Sequence, residues 1–377
     1  MPQLTAHHLR FSLEAETTIE LNEHKGSALR GLLFHALRGP EKNPALGFCT
    51  QRHLKTCAEC ALVAVCPVAS LVATLNPTAE RGRDVPRPYA INPPLDGRNR
   101  YEAGETLSFG LTLFGQALNL FPYIVMGLRQ AERGGLGKKL PRPGGGERSY
   151  RGRFKLKSAQ AINLLTGEVQ DILAAGSPLV RRPDLPVTHA QVLDMSRRML
   201  SDRLSGSANG AHGGSAQLLA VKHGPVELSL IFKTPTRIIE QERLLKEPHF
   251  RPIFQRLLER LAALSREFVQ KDEGGRMKAE GRTVLSPGDD ELLADKGALL
   301  ALSEQVELVA NQTRWADVWS YSARQGGKTP IGGLIGQATY RAEAEAWAAL
   351  LPYLLWGTVI HVGKSAVKGD GMIAVSR

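Results

Sequence analysis

The order of strand-like and helix-like periodicities constrains the fold of this chain most strongly. In the second half, alternating and helical apolar patterns follow one another as strand, helix, strand, strand, helix, strand. The first half shows a strand, a helix, a strand, a second helix and a strand. This order is typical of the split βαββαβ unit of a ferredoxin-like domain. The sequence therefore predicts an α+β chain made of two tandem ferredoxin-like domains.

The patterns also predict where the elements lie. In the first half we expect them at residues 4–13, 26–38, 105–115, 116–132 and 150–164, and in the second at residues 226–234, 250–270, 306–320, 331–340, 341–355 and 357–375. In the first helix Leu29, Leu32 and Leu33 share one face, whereas His35 and Arg38 fall on or beside the opposite one. The apolar face is expected to pack on the sheet.

Periodicity is lost between residues 180 and 224, where residues 205–215 are rich in glycine, serine, asparagine and alanine. Such a composition indicates a linker or mobile loop. We therefore expect an N-terminal domain over residues 1–179, a linker over residues 180–224, and a C-terminal domain over residues 225–377 that contains a glycine-rich loop.

Positive charge is concentrated in one segment. The chain has a formal net charge of +11, and residues 129–157 hold ten basic residues against two acidic ones. Alternation places four cations on one face of the strand, namely Arg151, Arg153, Lys155 and Lys157. A flexible cationic loop that leads into a cationic strand suits a phosphate backbone. The alternative is a solvated charged loop that serves solubility.

All four cysteines of the chain fall within one insertion at about residues 45–70, namely Cys49, Cys57, Cys60 and Cys66. The central C-x2-C pair can hold Zn²⁺ through two thiolates, and the outer pair can close the site. The sequence thus predicts structural zinc, with His53 as a substitute ligand. An iron–sulfur cluster or four reduced thiols remain alternatives, because the outer spacings are not those of a standard zinc knuckle.

The N-terminal segment and the apolar stretches predict a soluble, cytoplasmic protein. Residues 1–13 lack a continuous apolar core, since His7, His8 and Arg10 interrupt it. The longest apolar stretch, residues 350–360, is about half the length that spans a bilayer and contains Pro352. No membrane partner is expected.

Several segments together resemble a known family. They are residues 26–37, the cysteine cluster, residues 232–237, residues 315–325, residues 332–336 and the loop that begins with residues 361–364. In their order and spacing they resemble the CRISPR-associated endoribonuclease of the RAMP superfamily that processes precursor CRISPR RNA. The resemblance covers both halves of the chain.

The resemblance implies two RRM-like domains, a glycine-rich loop near the C-terminus that contacts RNA, and cleavage of each CRISPR repeat RNA without metal. The ribose 2′-OH would attack the adjacent phosphate, leaving a 2′,3′-cyclic phosphate and a 5′-OH. It further implies that the protein can stay bound to the crRNA and join other CRISPR effector subunits.

The resemblance also assigns roles to individual residues. The family often keeps a catalytic histidine on its first helix, which points to His35, with His361 as the competing acid or base. The remaining assignments are Lys364 and Lys368 for charge stabilisation, Arg30 or Arg38 for the phosphate, and Gly363, Gly369 and Gly371, together with Lys368, for loop contacts to RNA.

Two positions depart from the family pattern. Asp370 puts a carboxylate in the terminal loop where an RNA phosphate is expected, and Ser320 stands where the family commonly has an arginine. These departures favour an alternative, a non-catalytic RNA-binding subunit of a CRISPR ribonucleoprotein. A third hypothesis is a zinc-stapled protein that binds DNA.

Overall fold

The computed structural model describes residues 4–39, 46–73, 85–141, 149–205, 224–269, 295–322 and 327–376. Within these residues the chain forms seven α-helices and seventeen β-strands. Most of the strands belong to two antiparallel sheets, one in each half of the chain.

The first half contains the first nine strands and the first three helices. The strands are β1 (Ala6–Ala15), β2 (Ile19–Glu20), β3 (Tyr89–Asn92), β4 (Arg100–Tyr101), β5 (Thr106–Phe114), β6 (Leu136–Leu140), β7 (Tyr150–Gly152), β8 (Phe154–Ile162) and β9 (Val169–Leu173). The helices are α1 (Lys25–Arg38), α2 (Pro67–Leu71) and α3 (Phe121–Ala131).

Helix α4 (His189–Ser205) comes between the halves. The remaining strands are β10 (Pro225–Thr236), β11 (Ile239–Glu240), β12 (Arg243–Leu244), β13 (Glu307–Ala316), β14 (Trp319–Ser322), β15 (Gly327–Pro330), β16 (Gly333–Glu343) and β17 (Ile373–Ser376). The remaining helices are α5 (Phe250–Phe268), α6 (Lys296–Glu304) and α7 (Ala344–Ile360).

The two main sheets have the same topology. The first has the order β3-β5-β1-β8-β9 and the second the order β13-β16-β10-β17. In each half the four strands of one βαββαβ unit therefore lie in the order second, third, first, fourth. This is the ferredoxin-like arrangement. The predicted fold class, α+β with tandem ferredoxin-like domains, is confirmed.

Helices cover each sheet, and the buried face of α1 is the one that the sequence predicted. In α1, Leu29, Leu32 and Leu33 are buried in a core with Phe11 and Leu13 of β1. Helix α7 carries apolar residues around most of its circumference. This composition suits its position, because α4, α5 and α6 pack around it. The second core also takes in residues of the first half, among them Leu4, Ala6 and Phe114, so the two domains share buried surface.

The structure departs most from the predicted elements in three segments. Residues 189–205 of the predicted linker form α4, and Trp356 of α7 donates a hydrogen bond to Nδ1 of His189 at 3.1 Å, which ties α4 to the C-terminal domain. Strand β3 was not among the expected elements; it lies in a Pro-rich passage and pairs with β5. The predicted last strand is shorter, since α7 continues to Ile360 and only Ile373–Ser376 pairs with β10.

Among the residues that the structure describes, no helix combines the length and the apolarity needed to cross a membrane.

Candidate functional site

Helix α1 carries His35 on the side that faces away from the sheet. Its apolar residues point into the core, whereas His35 is exposed at the surface. The exposed side of α1 between Ser27 and His35 forms one wall of a groove with a volume of about 1000 Å³. The opposite wall comes from the end of α3, the turn that follows it, β6 and β7. We call this depression the His35 groove.

Three guanidinium groups line the His35 groove, those of Arg129, Arg133 and Arg151. Arg129 donates to the carbonyl oxygen of Ser177 at 3.4 Å, and Arg151 donates to that of Gly137. Carbonyl oxygens fix the direction of the side chains without neutralising them. The carboxylate of Glu132 lines the groove as well and accepts from the backbone N–H of Leu156 at 3.0 Å. The groove therefore combines a histidine with three cations and one carboxylate, and this excess of positive charge suits a phosphodiester.

The predicted cationic strand divides into two parts. Arg151 reaches the His35 groove, and Arg151 and Arg153 line a neighbouring depression that also contains Arg133. Lys155 and Lys157 are instead paired with carboxylates, at 3.4 Å from Glu16, which follows β1, and at 2.9 Å from Glu14 of β1 respectively. Among the described residues, Arg133, Arg151 and Arg153 form no salt bridge, so the positive charge without a paired carboxylate lies at the arginine end. Arg142 and Arg148 of the basic segment lie outside the described residues.

The C-terminal loop, residues 361–371, packs against the first turn of α1. A Cβ atom on Gly26 would lie 1.7 Å from the carbonyl oxygen of Lys368, so only glycine permits this approach. Within the loop, Gly363, Gly369 and Gly371 have φ angles of 83°, 83° and 74°, a region that favours glycine. The loop and the helix that carries His35 are therefore in direct contact.

A chain of hydrogen bonds crosses this contact. The backbone N–H of Ser27 donates to Nδ1 of His24 at 3.2 Å, so Nδ1 is an acceptor and the ring proton is on Nε2. Nε2 donates to Oδ1 of Asp370 at 2.7 Å. On the other side the Oγ atoms of Ser27 and Ser320 lie 2.8 Å apart, and Nζ of Lys368 donates to Ser320 at 3.1 Å. We call these five residues the junction network.

Asp370 does not face the surface, contrary to the sequence analysis. It is only 1% exposed, and burial raises the pKa of its carboxyl, while the hydrogen bond from His24 opposes that shift. A buried carboxylate held by a histidine does not meet an RNA phosphate at the surface. Ser320, the other departure from the family pattern, is 2% exposed and belongs to the same junction network.

His361 lies apart from the His35 groove. It is fully buried, and burial together with the nearby guanidinium of Arg260 lowers its pKa to about 3. Nδ1 donates to the backbone oxygen of Asp370 at 3.2 Å, while Nε2 has no hydrogen-bond partner among the described residues. A neutral, enclosed imidazole cannot exchange protons with a bound RNA. The structure therefore argues against His361 as acid or base.

The remaining predicted cations take separate places. Arg30 lies beside the hydroxyl of Tyr89 in β3, and Arg38 stacks over the ring of Phe34 at 5.6 Å and lines the cavity of the cysteines. Neither lines the His35 groove. The side chain of Lys364 is exposed, and its backbone N–H donates to the carbonyl oxygen of Arg237 at 3.1 Å. None of the three lines the His35 groove, although Arg38 follows His35 by three residues on α1.

The four cysteines surround one small cavity of about 90 Å³ beside the end of α1. All four thiols are free and partly buried. Burial, and then the neighbouring thiols Cys49 and Cys66, raise the pKa of Cys57. In the described part of the chain, however, no three His, Cys, Asp or Glu side chains are arranged to hold a metal ion. His53 does not line the cavity.

Sequence reasoning did not single out four residues of this region. Arg129 and Arg133 were visible only as part of the local charge excess, and their place in the groove depends on the turn after α3. Ser27 follows its partner His24 by three residues, a spacing typical of a helix N-cap. The link from His24 to Asp370 spans 346 positions, and no local signal indicates it.

Two ferredoxin-like domains, with a glycine-rich loop near the C-terminus, form a fold of the RAMP type. Residues 230–373 match the family model of the CRISPR-associated endoribonuclease Cas6, and residues 4–185 match a model described as an N-terminal domain. The chain thus has a fold of the Cas6/RAMP type, as the resemblance predicted, and its second half matches the Cas6 family model.

Solved structures give the same fold. The chain is similar to a partial Cas6-RT-Cas1–Cas2 complex, with 14% identity and a TM-score of 0.54 over 100% of this chain and 46% of that one. It is also similar to a Cas6-RT-Cas1–Cas2 complex, with 14% identity and a TM-score of 0.54 over 100% of this chain and 29% of that one. The comparison with Thermus thermophilus Cas6 gives 16% identity and a TM-score of 0.48 over 99% of each chain. The chain thus spans less than half the length of the first two. No curated protein matches it.

Proposed function

We propose that the chain is an endoribonuclease that cleaves precursor CRISPR RNA within its repeats. The observation that carries the proposal is the exposed His35 in a groove lined by three arginines, in a chain with a Cas6 domain. A surface imidazole beside cations combines proton transfer with stabilisation of phosphate charge. The RNA phosphate next to the cut would lie in the His35 groove.

The proposed reaction is attack of the ribose 2′-OH on the adjacent phosphorus. The O2′–P bond forms, the P–O5′ bond breaks, the proton of the 2′-OH is removed and the 5′ oxygen gains one. The products are a 2′,3′-cyclic phosphate and a 5′-OH. His35 would transfer one of these protons, and Arg129, Arg133 and Arg151 would stabilise the negative charge that develops on the phosphorane.

The test is cleavage of a repeat RNA by the purified protein in buffer that contains EDTA. We expect one cut per repeat and products that end in a 2′,3′-cyclic phosphate. Dependence of the cut on added Mg²⁺, or products with a 3′-OH, would falsify the 2′-OH mechanism.

The protein is further proposed to keep the crRNA after cleavage and to assemble with other CRISPR subunits. Its similarity to structures in which Cas6 is part of a complex with Cas1 and Cas2 motivates this proposal. Binding of the cleaved RNA after gel filtration, compared with binding of the intact repeat, tests retention.

A non-catalytic RNA-binding subunit was the alternative, and Asp370 was one of its two supports. The inward direction of Asp370 removes that support, because the carboxylate is bonded to His24. Ser320 does not carry the alternative either, since it is part of the junction network and lies outside the lining of the His35 groove.

Structural zinc at the four cysteines stays a prediction. Their thiols face one cavity, which suits a thiolate-bound metal, but they would have to move together to form a tetrahedral site. Zinc content of the purified protein and of a Cys57→Ser/Cys60→Ser variant tests it. About one zinc per chain, lost in the variant, is expected, and an equal trace in both would contradict it.

A further inference from the structure

The hairpin of β14 and β15 presents two chemically different faces. Trp319 pairs with Pro330, and Ser320 pairs with Thr329. Because side chains alternate along a strand, neighbouring residues point to opposite sides. Ser320 points inward and is 2% exposed, whereas Trp319 points outward and is 59% exposed.

The inner face fixes the hairpin beside the candidate active site. Ser320 contacts Ser27 of α1 at 2.8 Å and accepts from Lys368 of the C-terminal loop at 3.1 Å. Ser27 lies eight residues before His35 on the same helix, which corresponds to about 12 Å along its axis. The contact of the hairpin with α1 therefore lies about two helical turns from His35.

The outer face carries an open aromatic surface next to positive charge. Of the other tryptophans, Trp347 and Trp356 are buried, and the ring of Trp315 is covered by Nζ of Lys246 at 3.5 Å. The exposed Lys328 lies on the same face as Trp319, diagonally across the strand pair. An exposed indole is otherwise unfavourable in water, so a partner that covers it would stabilise the surface.

We propose that this face, Trp319 with Lys328, binds an unpaired nucleotide of the RNA, with the base stacked on the indole and the phosphate near the ammonium group. A flat π surface beside a cation is complementary to a base and its phosphate, and such stacking accepts any base. The inference rests on the proposed RNA substrate. It adds a contact for single-stranded RNA outside the His35 groove.

Binding of an oligouridylate of about ten nucleotides, a length within the usual site sizes, tests the inference. Dissociation constants would be measured by fluorescence anisotropy for wild type, Trp319→Ala and Trp319→Phe. Leu179→Ala is the matched control, since Leu179 is 63% exposed in the N-terminal domain and far from any tryptophan in sequence. Thermal unfolding midpoints confirm that each variant folds.

We expect Trp319→Ala to bind about 5- to 150-fold more weakly, as for loss of one stacked base. Trp319→Phe should keep most of the affinity, and Leu179→Ala should bind like wild type. Equal binding by Trp319→Ala and wild type would overturn the inference and assign the exposed indole to a protein partner. Cleavage of repeat RNA by wild type, measured in parallel, tests the proposed function separately, because it can succeed whether or not Trp319 stacks on a base.

Discussion

At the scale of single residues, the buried histidines connect the packing of the domains to pH. His8 lies in β1, where Nδ1 is 3.0 Å from the hydroxyl of Thr112, and burial lowers its pKa to about 4. The pKa of His361 is lowered to about 3. In the unfolded chain both would have pKa values near 6.5. Between pH 6.5 and these lowered values the unfolded state therefore binds more protons than the folded state.

The stability of the protein should accordingly fall as the pH is lowered from about 6.5 to about 4. Replacement of His361 by Gln should reduce this slope by up to about 1.4 kcal/mol per pH unit, because one titrating group is removed. Urea unfolding of wild type and variant over that range measures it. Equal slopes for wild type and His361→Gln would contradict the account.

How much of the site the sequence predicted depends on the range of each interaction. The exposed position of His35 follows from the helical period of the apolar residues around it, so it could be predicted. The direction of Asp370 could not, since its partner His24 is 346 residues away in the chain. Similarly, Lys155 and Lys157 appear as free cations in the sequence, but the pairing of β8 with β1 brings them near Glu16, which follows β1, and Glu14.

At the scale of elements, the contact of α1 with the C-terminal loop depends on one glycine. A methyl group at Gly26 would collide with the backbone oxygen of Lys368, which cannot move away as a flexible side chain can. Gly31 lies on the same helix, and a methyl group there would meet no atom of its surroundings within 4 Å. Gly31 therefore offers a matched control.

Gly26→Ala should lower the free energy of unfolding by about 1–3 kcal/mol, the usual cost of overpacking. Gly31→Ala should leave stability unchanged or raise it by up to about 1 kcal/mol, because alanine favours the helix. Chemical denaturation of the two variants beside wild type measures both effects. If Gly26→Ala is as stable as Gly31→Ala, the loop does not pack against α1 as described.

Elements with a strong period were predicted well, and elements that depend on tertiary contacts were not. The apolar faces of α1 and α5 are evident in the sequence and are buried in the structure. Helix α4 has a weak apolar face, and its packing on α7 defines it. Strand β3 is four residues long and is held by pairing with β5, which a Pro-rich sequence does not indicate.

At the scale of the whole molecule, the net charge of +11 is distributed unequally over the surface. Arg133 and Arg151 line both the His35 groove and the neighbouring depression, whereas Lys155 and Lys157 are paired with glutamates. Charge that is already paired adds less to the attraction of a polyanion than unpaired charge does.

The salt dependence of RNA binding should therefore distinguish the two pairs. Arg133→Gln/Arg151→Gln should reduce the slope of log K against log salt concentration by about 0.7 for each lost phosphate contact. Lys155→Gln/Lys157→Gln, with the same change in net charge, should reduce it by less. Dissociation constants for a repeat RNA between low and moderate salt measure both slopes. Equal reductions would mean that total charge, and not the groove, attracts the RNA.

The most direct test of the central claim, that His35 performs the chemistry in its groove, is single-turnover cleavage of a repeat RNA by wild type, His35→Ala and Arg38→Ala side by side. Arg38 is the matched control because it lies on the same helix and lines the cysteine cavity instead of the groove. We expect His35→Ala to cleave about 10²- to 10⁴-fold more slowly while binding the repeat with nearly unchanged affinity, and Arg38→Ala to cleave at close to the wild-type rate. Cleavage by His35→Ala at the wild-type rate would contradict the claim.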